Sequence, residues 1–446
     1  MAEPTTGSGS ARQRVAEALR TAAHRFPDLP PTTLDVAALD RRDARLALAI
    51  HRTVLQRWIT LEYLLDRHLR QPMHQLEPAL RAVLLSAAAQ LLFMDRLPTH
   101  AVVNESVNLA GRMVRPGAAG LVNAVLRRLA EQVVQAAHDQ PWVAARDRLP
   151  LDDGCVVLRD PCLPDPGNFV EHLAVATSHP AELVKQWSQT FGPDTTTTIC
   201  QHGVVCPPTI VAVEPDFHAQ ASEDWHSHAQ PGFIVWQGPH DRLAAFCQSP
   251  PVRRVQDPAS AEPVQATGHL SPGGVIDYCA GRGTKTRQLA ALHPDARIVA
   301  TDTDRNRLCD LRAACAACPN VTVVEPEKMA GALVDRPVDL LVLDVPCSNT
   351  AVLARRPEAR YRFSAATIES LAELQRAIIE QTIHLLHPGG HLLYSTCSLE
   401  PAENHEQVEW IRRQFAAQLV HQSLTTPSGT STSYHDGSYH ALLRMN

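Results

Sequence analysis

The stretch that decides the fold is Gly274–Asp304, GVIDYCAGRGTKTRQLAALHPDARIVATDTD. Val275–Cys279 reads as a buried strand, and the glycine-rich turn behind it opens a helix from about Lys285. Ile298–Asp302 reads as a second strand, followed by a helix from Arg305. The alternation carries on downstream. Strands are predicted at Val321–Val324, Val338–Asp344 and His391–Thr396, with a last one within Ser438–Arg444. A long helix fits Ala366–Leu386, stopped by His387-Pro388-Gly389-Gly390, and another fits Ala402–Phe415. Alternating β and α segments predict an α/β fold with a doubly wound, mostly parallel sheet, whose ligands bind outside the C-terminal strand ends.

Upstream the period changes. Residues 1–10 read as a disordered start, and Arg12 to about Ala137 is helical throughout. Ile50, Val54, Leu55, Trp58, Leu61, Leu65 and Leu69 fall at helical spacing, with Arg52, Arg57 and Arg67 between them. Leu80–Met94, Ala101–Met113 and a run from Gly120 through Leu129 complete an all-α bundle. Residues 140–270 are rich in Pro, His and Asp, with short β-like runs at Thr209–Val213 and Phe233–Trp236. They read as a small α/β subdomain plus connections. The expected domains are therefore 1–138, 139–270 and 271–446.

Composition narrows the class. With 446 residues, 44% hydrophobic and 20% charged, the chain can bury cores in two or three domains. No apolar run approaches the ~20 residues of a membrane span, and the N-terminus lacks a signal-peptide core, so a cytoplasmic protein is expected. Eleven cysteines spread over this length are no disulfide framework, so a special cysteine would be catalytic or metal-binding. The net charge of −6 conceals a split: residues 1–135 carry 17 arginines, no lysine and 12 acids. That basic first third suggests a local anionic partner. Only Lys185, Lys285 and Lys328 are lysine among 41 basic residues, so each raises the question of why it is not arginine.

The loop Cys279-Ala280-Gly281-Arg282-Gly283-Thr284-Lys285 is neither G-x-G-x-x-G nor a P-loop. Its glycines would let backbone amides approach a ligand, although an ordinary βα turn looks the same. Asp302 ends the second strand about 20 residues on, the place of a ribose-binding acid. Glu327 follows the third strand and Asp344 ends the fourth. Such a wall of acids suits a cationic sulfonium better than a pyrophosphate, which favours S-adenosylmethionine over NAD.

Two cysteines stand at strand ends, in Asp344-Val345-Pro346-Cys347-Ser348 and Ser395-Thr396-Cys397-Ser398. One such cysteine is usually a small buried hydrophobe. Two at the ligand edge, one in Asp-x-Pro-Cys, point to thiolate chemistry. Carbon methylation of a pyrimidine needs it, because C5 of cytosine becomes nucleophilic only after a thiolate adds to C6. A carboxyl group near N3 can share a proton as charge develops, and a second thiol can assist elimination. Spacing leaves the division of labour between the two cysteines open.

The set DYCAGRGTKT, ATDTD, LDVPCSNT and LLYSTCSLEPAEN, with VQDPAS before it and HDGSYHALL after it, resembles the Sun/Fmu (RsmB-type) family of RNA 5-methylcytosine methyltransferases. LPTHAVVNESVNLA followed by GLVNAVLRRL resembles the NusB-type RNA-binding domain fused to bacterial members. The resemblance covers most of the chain. It implies a Rossmann-like S-adenosylmethionine-dependent methyltransferase domain behind an RNA-binding bundle, with 16S rRNA as substrate. It also implies Cys397 as nucleophile, Cys347 as the releasing group, and Asp344 beside them. Cofactor contacts fall to Cys279, Ala280, Gly281, Arg282, Gly283, Thr284, Lys285, Asp302, Glu327 and Asp344. DNA enzymes of this chemistry use the Pro-Cys cysteine as nucleophile; the second cysteine and the RNA-type bundle favour RNA over DNA. Arg112, Arg115, Arg127 and Arg128, around a Gly/Pro-containing turn, are the candidates for phosphate contacts.

The chain departs from the family at Arg282, where Pro is usual, at Thr284, where Gly is usual, at Glu327, where Asp is usual, and at Ala351, which replaces Gly. These departures keep two rivals in view: a non-catalytic RNA-binding protein with a degenerate loop, and the same chemistry on tRNA or another rRNA site. Cys315-x-x-Cys318 and the histidines His226, His228 and His240 read as packing and solvated loops, so no metal is expected. A monomer is the default.

Overall fold

A helix that is apolar on almost every side must be buried on almost every side, and Leu80–Phe93, interrupted by Arg81, Ser86 and Gln90, is such a segment. In the computed structural model, which describes residues 10–31, 33–214, 217, 222–248, 253–332 and 337–446, it is the centre of a five-helix bundle. The expectation for residues 1–9 lies outside the described residues. α1 (Ala11–Arg25) starts where the Ser10 hydroxyl accepts from the Gln13 amide, and α2 (Arg41–Asp66) where Asp40 accepts from Asp43. α3 (Pro78–Phe93), α4 (Thr99–Met113) and α5 (Ala118–Gln132) follow. The predicted stripe Ile50, Val54, Leu55, Trp58, Leu61 and Leu65 is buried, and Trp58 stacks on Phe26 with ring centroids 4.8 Å apart.

Helix does not continue to Ala137 as the pattern suggests. Val133–Ala137 is strand β1, antiparallel to β3 (Cys155–Leu158), which also pairs β2 (Arg148–Pro150). The β-branched pair Val133-Val134 is restricted in a helix and finds ladder partners instead. α6 (Phe169–Thr177), α7 (Ala181–Phe191) and α8 (Pro193–His202) complete the segment.

The chain forms two units, Met1–Cys206 with Leu353–Phe363, and Pro207–Val352 with Ser364–Asn446. Residues 139–270 are thus divided between the units and are not one subdomain. The returning segment Leu353–Phe363 is pinned in the first unit by Arg360, which is fully buried and donates to the carbonyls of Gln56, Thr177, Ser178, Gly203 and Leu353. Tyr361 adds a 2.7 Å bond from its hydroxyl to the Leu55 carbonyl.

The second unit opens with a small antiparallel sheet. Its strands are β4 (Thr209–Ala212), β5 (Trp225–Ser227), β6 (Phe233–Trp236) and β7 (Arg254–Val255), accompanied by α9 (His240–Gln248). α10 (Pro258–Gln265), capped by Asp257, leads into the main sheet. Its strands are β8 (Gly274–Asp277), β9 (Arg297–Ala300), β10 (Val321–Val323), β11 (Val338–Asp344), β12 (Leu386–Thr396), β13 (Gln418–Thr425) and β14 (Ser438–Arg444). The helices are α11 (Thr284–Leu292), α12 (Arg305–Cys315), α13 (Met329–Ala332), α14 (Ala365–Thr382) and α15 (His405–Phe415).

The strand order is β10-β9-β8-β11-β12-β14-β13, parallel from β10 to β12, with β14 and β13 antiparallel. β13 is missing from the sequence reading because its exposed, largely polar residues carry no buried pattern. The chain turns from one side of β8 to the other between β10 and β11. That reversal opens the ligand crevice of a doubly wound sheet.

Replacing Arg360 by Leu leaves buried carbonyls without a donor. Each such loss costs about 1–3 kcal/mol, so the variant should lower the urea unfolding midpoint of the first unit clearly. A midpoint equal to that of the parent protein would contradict the pinning role.

Candidate active site

The site is built at the C-terminal ends of β8, β9, β11 and β12. Three buried or half-buried acids, Asp277, Asp302 and Asp344, meet there with the hydroxyls of Thr286 and Ser395, and each acid has a defined partner. Asp277 ends β8, fully buried, and accepts a 2.7 Å bond from the Thr286 hydroxyl in the first turn of α11. Burial is the main cause that raises its pKa to about 7, against the lowering pull of Thr286. Its second oxygen, Oδ1, has no partner among the described residues.

The loop Tyr278–Gly283 needs glycine twice. Gly281 has φ 57° and Gly283 φ 86°, both in the left-handed region. A Cβ on Gly281 would meet only open space, whereas one on Gly283 would sit 2.9 Å from Leu311 and 3.3 Å from the Cys315 sulfur. Cys315 is therefore the packing residue expected of it. Thr284 begins α11 as an ordinary helical residue and carries none of the loop's strain. Arg282 is exposed, and its Nε lies 3.2 Å from Asp310 of α12.

Asp302, just beyond β9, holds the loop from the other side. Its Oδ2 accepts the Gly281 amide and its Oδ1 the Asp304 amide, both at 2.9 Å. Cys279 lies between these acids; burial, Asp277, Asp344 and Asp302 push its thiol well up, so it stays neutral.

Lys285 does not face a phosphate site. Its Nζ lies 2.7 Å from Asp344 Oδ2, and Asp344 Oδ1 accepts the Ser395 hydroxyl at 2.9 Å. Burial disfavours the ammonium, but Asp344, with Cys397 and Asp277, outweighs it and raises the lysine pKa. Glu327 is not drawn into this cluster. It stands exposed on the turn Pro326–Lys328.

The two predicted thiols meet. Asp344 and Ser395 are register partners in β11 and β12, so Cys347 and Cys397 leave adjacent strands. Their sulfurs are 3.2 Å apart, and Cys347 Sγ also accepts the Cys397 amide at 3.3 Å. The hydrogen bond with Cys397, burial, and the nearby charges of Cys397 and Glu403 raise the Cys347 pKa well above the ordinary thiol range. Cys347 is therefore a neutral thiol.

Sequence reasoning missed the residues that hold this pair. Asn349, with φ 62°, donates to the Cys347 carbonyl at 2.7 Å and presents Oδ1 3.2 Å from Cys397 Sγ. Buried Glu403 accepts from the Ser348 amide (2.9 Å), the Ser398 hydroxyl (2.6 Å) and Gln375 (3.0 Å), and also from the Ser348 hydroxyl. It ties the residue after one cysteine to the residue after the other. Both lie inside the quoted motifs, where unassigned polar residues were the available signal.

In the first unit, Arg112, Arg115, Arg127 and Arg128 are exposed on α4, α5 and the turn between them. Arg115 is paired with Glu77, and Arg127 bonds Asn123 at 2.9 Å. Among the described residues no helix is long and apolar enough to cross a membrane.

Residues 270–441 match the family model for 16S rRNA methyltransferase RsmB/F, and residues 10–131 match the NusB family. The chain is 30% identical over 381 residues to ribosomal RNA small subunit methyltransferase B of Xanthomonas campestris, covering 83% of this chain and 79% of that protein. The protein of that name from Vibrio cholerae is 29% identical over 427 residues, covering 90% and 89%. The crystal structure of PH0851 has a similar fold, with a TM-score of 0.68 at 19% identity, covering 98% of this chain and 99% of that one.

Asp277 makes the stability of the second unit depend on pH in a definite direction. Its folded pKa of about 7 lies above the ordinary value, so the folded state holds the extra proton as pH rises from about 4. Its contribution is therefore lost between about pH 4 and 7, at up to about 1.4 kcal/mol per pH unit. Asp277→Asn should flatten the fall in urea midpoint over that window relative to the parent protein; parallel curves would contradict the buried-acid assignment. Glu403→Ala should lower methyl transfer about 100-fold by freeing both cysteine loops, while Glu403→Gln, which keeps the acceptor, should recover part of it. Unchanged kcat in Glu403→Ala would remove Glu403 from the site.

Proposed function

The chain belongs to the 16S rRNA methyltransferase RsmB/F family, and from that premise we propose that it methylates C5 of a cytosine in 16S rRNA through a covalent adduct on Cys397. It is an S-adenosylmethionine-dependent rRNA methyltransferase; the cytosine, the carbon and the adduct are the proposal. The observation that carries it is the 3.2 Å contact between two thiols at adjacent strand ends, one of them held neutral.

The residues present fit the cofactor. Asp302 keeps carboxylate lone pairs beyond its two amide bonds for ribose hydroxyls, and Gly281 leaves open space above the loop. Asp277, Asp302 and Asp344 suit a cationic sulfonium. When bound, S-adenosylmethionine supplies an electrophilic methyl group. The departures at Arg282 and Thr284 do not fill this space, since one turns to Asp310 and the other starts a helix. That speaks against the degenerate-loop rival.

The chain's own groups divide the work. Cys397 as thiolate adds to C6 of the cytosine, and the C5–C6 π electrons shift toward C5 and N3. Lys285 is close enough to Cys397 for the two charges to interact. Asp344, fixed by Lys285 and Ser395, presents its carboxyl toward N3 as charge develops. After C5 is methylated, its proton passes to Cys347, which becomes a base by giving its own proton to the Cys397 sulfur as the C6–S bond breaks. Cys347 serves this release because it is already hydrogen-bonded to Cys397. Residues 1–138 form the RNA-binding part, with Arg112, Arg127 and Arg128 as phosphate contacts. Acting on ribosomal RNA, the protein works in the cytoplasm.

Cys397→Ala should reduce methylation of unmodified 16S rRNA to background and leave no protein–RNA adduct. Cys347→Ala should accumulate an adduct that survives denaturing gel electrophoresis. Equal, adduct-free loss in both variants would overturn the assignment.

A further inference from the structure

The first unit contains a cavity of about 370 Å³ lined by α2, the end of α3 and the β2–β3 turn, and none of its lining residues takes part in methyl transfer. The volume is within the usual range for small-ligand pockets. Arg57 lines it while only 3% exposed. One guanidinium nitrogen donates to the Pro150 carbonyl at 2.7 Å, and the group lies over the Phe93 ring at 4.6 Å. The other, Nη1, is buried with no hydrogen-bond partner. A buried guanidinium N–H without an acceptor is costly, and an acceptor bound in the cavity would relieve that cost.

Asp152 lines the same cavity. Its Oδ2 accepts the Cys206 amide at 2.9 Å, which leaves further lone pairs. It senses the charge of Arg57, yet the two form no direct hydrogen bond. The cavity thus offers a donor and an acceptor that do not satisfy each other. Asp95, Asp153 and His138 also line it, with His138 bonded to both acids at 3.1 and 2.9 Å. Arg52 lines it too, so three carboxylates face two guanidiniums and His138, and the lining holds no surplus positive charge for a phosphate. Such a lining suits a neutral, planar group with an acceptor edge beside a donor edge.

We propose that this cavity takes an unstacked guanine base, with Arg57 donating to its O6/N7 edge and Asp152 accepting from N1–H and the N2 amine. Only guanine offers a carboxylate two adjacent donors; adenine and cytosine offer one exocyclic amine and uracil one ring N–H. That the base arrives as part of RNA rests on the proposed function; the pocket's selectivity for guanine does not.

Calorimetric titration of the full chain with GMP, IMP, 7-methyl-GMP, AMP and CMP tests it, because all five share the phosphate. GMP should bind about tenfold more tightly than the other four. IMP lacks the N2 amine and 7-methyl-GMP blocks N7, so the ligand-side comparison needs no change in the protein. Asp152→Asn, which keeps the oxygen that accepts the Cys206 amide, should erase the preference for GMP over IMP. Equal binding of all five, no GMP binding at about 10 mM, or an undiminished preference in Asp152→Asn would overturn it. If wild-type protein methylates 16S rRNA but does not select GMP, only this inference fails. Selection of GMP without rRNA methylation would leave the pocket standing and remove the proposed function.

Discussion

The structure of the site depends on one pairing: β11 and β12 run parallel and in register, with Asp344 opposite Ser395. Parallel neighbours release their chains at the same edge of a sheet. Three residues past the end of β11 and one past the end of β12 the sequence has cysteine, and the sulfurs meet at 3.2 Å. A slip of one residue in this ladder would turn alternate side chains to the other face and separate the pair. The same edge faces the point where strand order reverses, so the thiols adjoin the crevice in which an α/β sheet binds its ligand.

Collecting carboxylates at that edge carries a desolvation cost, and the network shows how it is met. Asp302 is held by two backbone amides, Asp344 by Lys285 and Ser395, and Glu403 by two serines and a glutamine. Asp277 has one partner, Thr286, and responds with a raised pKa. Ammonium, carboxylate and thiol form one connected set. Lys285 is part of it, which gives a physical reason why this is one of three positions in the chain to carry lysine. A compact ammonium meets Asp344 at 2.7 Å where a planar guanidinium would demand a different geometry.

How far the sequence could be read follows from which patterns are local. The β–α alternation from Gly274 onward is periodic, and the strand ends that carry Cys347, Cys397, Asp302 and Asp344 were legible from it. The Lys285–Asp344 contact spans 59 positions, and no spacing rule announces it. Glu403 and Asn349 act through loop carbonyls, amides and hydroxyls, which have no periodic signature. At Val133–Ala137 helical periodicity gives way to a ladder formed with Cys155–Leu158, a partner that only the folded chain supplies. Segment Leu353–Phe363 is the sharpest case. It lies in the methyltransferase region of the sequence but folds with the bundle, because Arg360 finds its acceptors there. The loop departures were legible as differences, but their direction was not: Arg282 faces Asp310, and Thr284 needs no unusual backbone.

In the proposed reaction the sulfur at the end of β12, and not the one beyond β11, bonds to the pyrimidine. RNA carrying 5-fluorocytidine tests it most directly, because fluorine at C5 blocks the loss that would release the enzyme. Wild-type protein should form a stable adduct with such RNA in the presence of S-adenosylmethionine. Mass spectrometry of the digested complex should place the nucleotide on the peptide containing Cys397. A nucleotide on the Cys347 peptide, or no adduct under conditions in which unsubstituted RNA is methylated, would contradict the account.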